Sequence, residues 1–392
     1  MKKSKLIGTK DFYHRVLMVA VPIMIQNGIT NFVGMLDNIM VGQVGTDQMS
    51  GVAIVNQLMF VYNLMVFGGL AGIGIFTAQF AGKGDEKGLR YTMRIKIVMA
   101  LVLTAGATLL FFNGGSSLIS MWLKGDSAAG DAAATMAAAE GYLRVMLVGM
   151  VPFAATQVLS GTLRETGETI VPMKAGVVAV LVNLVGNYIL IYGKFGAPVL
   201  GVVGAAIATN ISRFVEFLFV LVWLLRHLEK NRYMEGLFRG FYVPGDLTLR
   251  IVIRAFPLLL NETLWSLGNT VMSQQYSLRG LDVVAAFNIS STICNVFNIA
   301  FIAMGEAISI LLGQELGAGR LKEVKDDAYR LAAFTVFLCL ISGTGLFLVA
   351  PFFPLIYNTT ETVREAAAGL IRISAVCMPL YAYENASYFT LR

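Results

Sequence analysis

The feature that most limits how this chain can fold is a pair of long apolar stretches, each with a carboxylate inside it. The first, Val16 to Gly45, has Asp37 as its only charge. The second, Ala255 to Gly280, has Glu262 as its only charge before Arg279. Both are long enough to span a bilayer. A charge at that depth is expensive, so it calls for a partner or a task. The two stretches also echo each other. At a constant shift of 235 positions, Pro22 falls on Pro257, Gly45 on Gly280, Asp47 on Asp282, Gln79 on Gln314, Gly82 on Gly317 and Gly84 on Gly319. An ungapped series of this kind is an internal repeat.

Composition fixes the class. Hydrophobic residues make up 56% and charged residues 14% of the chain, and the mean hydropathy is +0.70. A soluble domain carries about a quarter charged residues. The expected fold is therefore an all-α polytopic membrane protein. Apolar runs predict ten membrane helices, near 15–42, 50–80, 94–122, 134–160, 170–193, 200–226, 250–277, 284–314, 330–356 and 365–390. The basic residues sort by side. The N-terminus and the 2–3, 4–5, 6–7 and 8–9 connections hold 22 Lys and Arg, against 4 on the opposite connections. That bias puts the N-terminus and the central loop in the cytoplasm of a multi-pass plasma-membrane protein, bacterial by its character. The net charge of +6 follows from these loops and gives no reason to expect nucleic-acid binding.

The central loop holds Pro244-Gly245-Asp246 and divides the chain. We read a bundle of helices 1–6 over 1–228, a cytoplasmic linker over 229–249 and a second bundle over 250–392. Six crossings precede the second copy, so both copies enter the membrane in the same direction. This is a parallel repeat. In helix 4, Gly141, Arg144, Pro152 and Leu163-Arg164 echo Gly369, Arg372, Pro379 and Leu391-Arg392. Two more helices follow in the first half. The repeat thus predicts two pseudo-symmetric six-helix bundles, with this chain truncated after helix 10.

No soluble-enzyme signature is present. Gly82-Lys83-Gly84 lacks the Ser or Thr of a phosphate-binding loop. No haem, zinc or nucleophile-elbow pattern occurs, so neither an enzyme nor a bound cofactor or metal is expected. His14 and His227 sit at membrane edges, and Cys294, Cys339 and Cys377 lie in apolar segments as expected buried thiols. Transport driven by an ion gradient needs only intramembrane carboxylates and polar groups, and these are present. Glu262, Ser266, Asn269 and Ser273 recur at helical spacing as one polar stripe. Such a stripe must face protein or a water-filled cavity. The matching stripe on helix 1 is Asn27, Asn31, Gly34 and Asn38, with Asp37 beside it and Thr30-Gly34-Asp37 as a second line. Helix 5 carries Asn183 and Asn187 one turn apart, and helix 6 offers Thr209 among small residues. Glu306 in helix 8 and Glu384 in helix 10 are further candidate acids. The competing reading is structural: the acids pair with Arg144, Arg213 or Arg372, and Arg213 pairs with Glu216.

The chain resembles the multidrug and toxic compound extrusion (MATE) transporters. The resemblance rests on Pro22 with Leu36 to Gly42, on Gly161 to Thr169, on Asn183 to Tyr188, on Leu200 to Thr209 and on Gly313 to Gly319. It implies two six-helix bundles around a central cavity, alternating between inward and outward states. It implies export of cationic, apolar drugs and dyes in exchange for H⁺ or Na⁺ by a monomer. Asp37 matches the family's helix 1 acid, and Asn183, Asn187 and Thr209 fall at its N-lobe ion site. Some members have Asp where Asn187 stands. Glu262 matches the helix 7 acid of the branch described as Na⁺-coupled, so a Na⁺ would be sought there. That branch also uses a helix 10 Asp, where this chain offers Tyr381 and Glu384. The resemblance implies antiport by competition. An ion occupies or neutralises Asp37 or Glu262 and the cationic drug leaves. Burial of a carboxylate favours its protonated form, and aromatic rings assist binding of an organic cation. The alternative within the same superfamily is a lipid-linked precursor flippase, whose cavity would be strongly cationic. A scaffold or a channel is the remaining reading.

Overall fold

The computed structural model describes residues 6–122, 132–240, 242–277, 281–357 and 359–391, apart from some side chains within α1, α2, α7 and α8. Among the described residues there are ten α-helices and no strand. They are α1 (Lys10–Gly42), α2 (Thr46–Lys83), α3 (Glu86–Trp122), α4 (Ala132–Glu165), α5 (Ile170–Tyr192), α6 (Gly201–Arg226), α7 (Gly245–Ser277), α8 (Leu281–Gly317), α9 (Leu321–Val349) and α10 (Glu361–Leu391). Among the described residues, α2 to α6 and α8 to α10 are long and apolar enough to cross a membrane.

Most helices run past the apolar segment that announced them. Hydropathy marks the depth of the lipid, whereas the backbone continues its hydrogen bonding into the headgroup zone. Arg90, Arg94 and Lys96, read as part of a connection, lie in the first three turns of α3. Helix 9 shows the converse error. It ends at Val349 rather than near 356, because Pro351 and Pro354 cannot continue it and a short 3-10 turn spans Phe353–Ile356.

The helices pack into two compact units. One comprises Met1–Gly28, Ala78–Gly84 and Leu264–Arg392, the other Ile29–Thr77 and Asp85–Thr263. We call them the C-terminal and the N-terminal unit. In the C-terminal unit, Phe12, Val16, Ala20 and Ile23 of α1 join Met304 and Ile308 of α8 and Leu331 of α9 in one core. A second core holds Cys339 and Leu346 of α9 with Ile371, Ala375 and Met378 of α10. The three cysteines are free; Cys339 is buried, but Cys294 and Cys377 are only half-buried, since an apolar helix segment fixes which residues avoid water and not which of them face the core.

The repeat is visible in one crossing. Within the C-terminal unit, the end of α2 meets the end of α8 through equivalent residues. A Cβ on Gly82 would collide with the carbonyl of Gln314, and a Cβ on Gly317 would collide with the carbonyl of Gln79. Ala78 and Gly313, also 235 positions apart, face each other, with only 2.8 Å for a Cβ on Gly313. Reciprocal contact between equivalent positions is the mark of a local two-fold axis. The two glycines stand there because helix backbones this close leave no space for a side chain.

In the N-terminal unit, α3, α4, α5 and α6 form the body. Small residues let α5 and α6 approach closely. A Cβ on Gly186 would lie 2.9 Å from that of Ala208, and one on Gly204 would lie 2.5 Å from the Leu190 carbonyl. The chain between α6 and α7 is strapped down by two arginines. Arg94 donates to the carbonyls of Gly236, Leu237 and Tyr242, each at 2.9 Å. Arg90 donates to those of Arg232 and Tyr233 at 3.3 and 3.2 Å.

Candidate ion and substrate site

The small-residue packing of α5 on α6 sets the geometry around Asp37. It brings Asn183 and Asn187 of α5 to within reach of Thr209 of α6, all in the N-terminal unit. Both asparagines are buried, Asn187 to 1% exposure. Asp37, on the last turns of α1, lies against them. Asn187 Nδ2 donates to Asp37 Oδ1 at 2.6 Å. The end of α1 is tied to the end of α5 as well, because Tyr192 Oη donates to the Met40 carbonyl at 3.1 Å and meets Gln43 Oε1 at 2.9 Å.

The amide of Asn183 finds partners in either orientation. With its nitrogen toward α1, it donates to Asp37 Oδ1 and Oδ2 at 2.9 and 3.0 Å, and its oxygen accepts from Thr209 Oγ1 at 3.2 Å. That is the arrangement an ionised carboxylate requires, since a carboxylate offers only acceptors. With the amide turned over, its nitrogen donates to Thr209 Oγ1 at 3.2 Å and its oxygen accepts from Asn187 Nδ2 at 3.3 Å. Its oxygen then faces Asp37, which suits a protonated carboxyl group. The Oδ1 of Asn187 is buried without a hydrogen-bond partner.

Four of the residues singled out in the sequence are therefore gathered in one place: Asp37, Asn183, Asn187 and Thr209. Asn31 lies on α1 in the same unit and is exposed. Glu262 is also in the N-terminal unit, half-buried on α7, and a Cβ on Gly68 of α2 would lie 3.3 Å from its Cγ. Ser266, Asn269, Glu306 and Glu384 belong to the C-terminal unit. Ser266 and Glu306 are half-buried, while Asn269 and Glu384 are exposed. Asn269 turns its amide back to the Trp265 carbonyl of its own helix at 2.9 Å. Ser273 and Asn38 fall among the side chains outside the described ones.

The structural alternative finds little support around Asp37. Arg144 pairs with Glu140 of its own helix at 3.8 Å. Arg213 does not close the expected pair with Glu216. It donates to the Gly149 carbonyl at 3.3 Å and lies over the Phe153 ring at 5.1 Å. The reason is the packing of α4 on α6, which brings Gly149 and Asn210 together so closely that the neighbouring turn of α4 faces the guanidinium.

Two features escaped the sequence reading. Lys96, 1% exposed, pairs with Glu165 and donates to Thr162 Oγ1 at 3.3 Å. The signal was available: Lys96 lies inside the helical extension of the apolar run, and Glu165 closes helix 4. Asn385 of α10 is the second. Its Oδ1 is buried without a partner, and a Cβ on Gly305 of α8 would lie 2.5 Å from it. It sits next to Glu384 in sequence but faces inward.

Fold and site together define a multi-pass helical membrane protein built from two copies of one unit, with an acid and an amide pair inside the first. The chain belongs to the MatE family, which it matches over residues 22–189 and 257–392. The two matched segments begin 235 positions apart, the shift of the internal repeat. It is 26% identical over 369 residues to the multidrug resistance protein MdtK of Yersinia enterocolitica, covering 92% of this chain and 77% of that one. The MdtK protein of Yersinia pestis is 26% identical over 368 residues, with the same coverage. Among solved structures, a MATE transporter in complex with MaD3S superposes with a TM-score of 0.85 at 20% identity, over 99% of this chain and 83% of that one. A superfamily transporter from Pyrococcus furiosus, described as having a binding pocket of reverse polarity, superposes with a TM-score of 0.81 at 20% identity, over 99% and 86%.

Proposed function

We propose that this chain is an ion-coupled efflux antiporter that exports lipophilic cations across the cytoplasmic membrane by alternating access. The observation that carries the reading is the contact of Asp37 with two buried amides of α5, one of them backed by the Thr209 hydroxyl of α6. The relatives named multidrug resistance protein support drug export in general, and the carboxylate of Asp37 is what favours cations within that range. The division into a 1–228 bundle, a linker and a second bundle, and action as a monomer, are part of the same proposal.

For the coupling ion at Asp37 we favour a proton. The Asn183 amide can give its nitrogen to an ionised Asp37 or its oxygen to a protonated one, so the site accommodates both protonation states. Protonation removes that charge. The Asn183 amide then turns its oxygen to Asp37 and its nitrogen to Thr209, and a cationic substrate loses the charge that attracted it. Glu262 is the place where Na⁺ would act instead.

Inverted vesicles containing the protein, with a fluorescent cationic dye outside, test this. A pH gradient and a Na⁺ gradient are imposed separately. Dye uptake driven by the pH gradient and lost in Asp37→Asn is expected. Uptake driven only by Na⁺, and lost in Glu262→Gln, moves the coupling site to α7. No uptake under either gradient shifts the reading to the flippase.

A further inference from the structure

The N-terminal unit contains a cavity away from Asp37 and its amide partners. It has a volume of about 360 Å³ and lies between α3, α4, α6 and the strapped linker. Ile97 and Leu101 of α3, Val158 of α4, Leu221 of α6 and Phe238 of the linker are among its walls. Every lining residue is apolar except Thr104. The Thr104 hydroxyl is already engaged, 2.8 Å from Tyr62 Oη. The cavity is open to the outside of the unit: Leu101, Val151 and Phe238 are 60%, 59% and 70% exposed. A water-filled site would leave such walls poorly solvated. In a membrane, hydrocarbon fills them.

Its placement is specific. Met93, near the start of α3, lines one end and Thr104 the other. Eleven residues of helix span about 16 Å, roughly one leaflet of a hydrocarbon core about 30 Å thick. The shallow end lies where α3 begins and where α4 and α6 end, the side that the distribution of Lys and Arg assigns to the cytoplasm. There the linker forms the rim, held by the Arg90 and Arg94 hydrogen bonds to its carbonyls. The chain that supplies Met234, Leu237 and Phe238 to this wall is basic and exposed, with Arg226, Lys230, Arg232 and Arg239 against Glu229 and Glu235. Arg239 directly follows Phe238 of the cavity wall.

We propose that this cavity is a binding site for an anionic phospholipid of the inner leaflet. One acyl chain fills the groove between α3, α4 and α6. The phosphate headgroup lies at the linker, where the exposed arginines match its charge.

The test uses the whole protein, purified in detergent with phosphatidylglycerol or phosphatidylcholine and examined by native mass spectrometry. One tightly held phosphatidylglycerol is expected, and no comparably held phosphatidylcholine. Ala155→Phe, which fills the groove from a half-buried wall position, should abolish retention. Leu109→Trp, on the exposed face of α3 outside the groove, should not. Arg239→Glu leaves the packing untouched and should lower retention of phosphatidylglycerol at least about fivefold. Equal retention of both lipids, or full retention in Arg239→Glu, would overturn the proposal. So would a cationic dye held one-to-one in place of lipid and lost in Ala155→Phe. If Ala155→Phe does not fold, the Arg239→Glu arm decides the question alone.

Discussion

Asp37 and Glu262 occupy matching apolar stretches, yet the two acids are held in different ways. Asp37 is enclosed by amides donated from α5. Glu262 is half-buried and packs its stem against a glycine of α2. Nor are the acids equivalent under the repeat. Asp37 maps to Met272 and Glu262 to Asn27 at the shift of 235. Glu262 stands five residues after its helix proline and Asp37 fifteen after its own, a difference of about 15 Å along a helix. The repeat copied the scaffold, and each copy acquired its acid at its own depth. Two sites of different depth need not bind the same ion or perform the same step.

The comparison can be broken most directly at the acids. Asp37→Asn is expected to abolish proton-driven dye export, a loss greater than tenfold, with the protein still folded by thermal unfolding. If Glu262→Gln alone gives that loss, the weighting of the two sites is reversed. The next effect is on assembly. Gly82→Val and Gly317→Val should each destabilise the protein by about 3 kcal/mol or more, since the clash is with helix backbone that cannot move aside. Similar drops in unfolding temperature for the two variants would support the local two-fold axis, and one silent variant would refute it.

A smaller effect is expected at the amides. Asn187→Ala leaves the half-buried Asp37 carboxylate short of one donor, worth about 1.5–3 kcal/mol, or ten- to a hundredfold in ion or dye affinity. Its effect should vanish in the Asp37→Asn background, and a double-mutant cycle measures this. Glu262→Gln, at a half-exposed charge, should change proton-driven export about threefold or less. Least of all, Asn269→Ala removes an exposed amide bonded to its own helix and should shift stability by no more than about 0.5 kcal/mol, read as unfolding temperature.

Much of the site could be read in the sequence because lipid removes the ordinary explanations for polar residues. Asp37, Asn183, Asn187 and Thr209 stood out as polar groups in apolar helices, and small residues between Gly201 and Thr209 pointed to close packing. Rotation about each helix axis was not available from that pattern. Asn269 and Glu384 share the residue types of the site but are exposed, whereas Asn385, one residue further on, turns inward. One position along a helix is a rotation of about 100°, and only packing against neighbours fixes where it starts. Lys96 was hidden for a related reason. Charge marked it as a loop residue, and its partner Glu165 lies 69 positions away on α4.

By itself the sequence determined that this is a helical membrane protein of two parallel copies, and which residues are too polar to face lipid. Hydropathy and a constant repeat shift are one-dimensional properties, so a linear string suffices to carry them. The tertiary structure decided which of those polar residues meet. It chose amides rather than arginines as the partners of Asp37, a carbonyl and a ring rather than Glu216 for Arg213, and a backbone-to-backbone crossing for the repeated Gln79 and Gly82 with Gln314 and Gly317. Contacts between distant segments depend on helix rotation and closest approach, and these are set by the packing of all the helices at once.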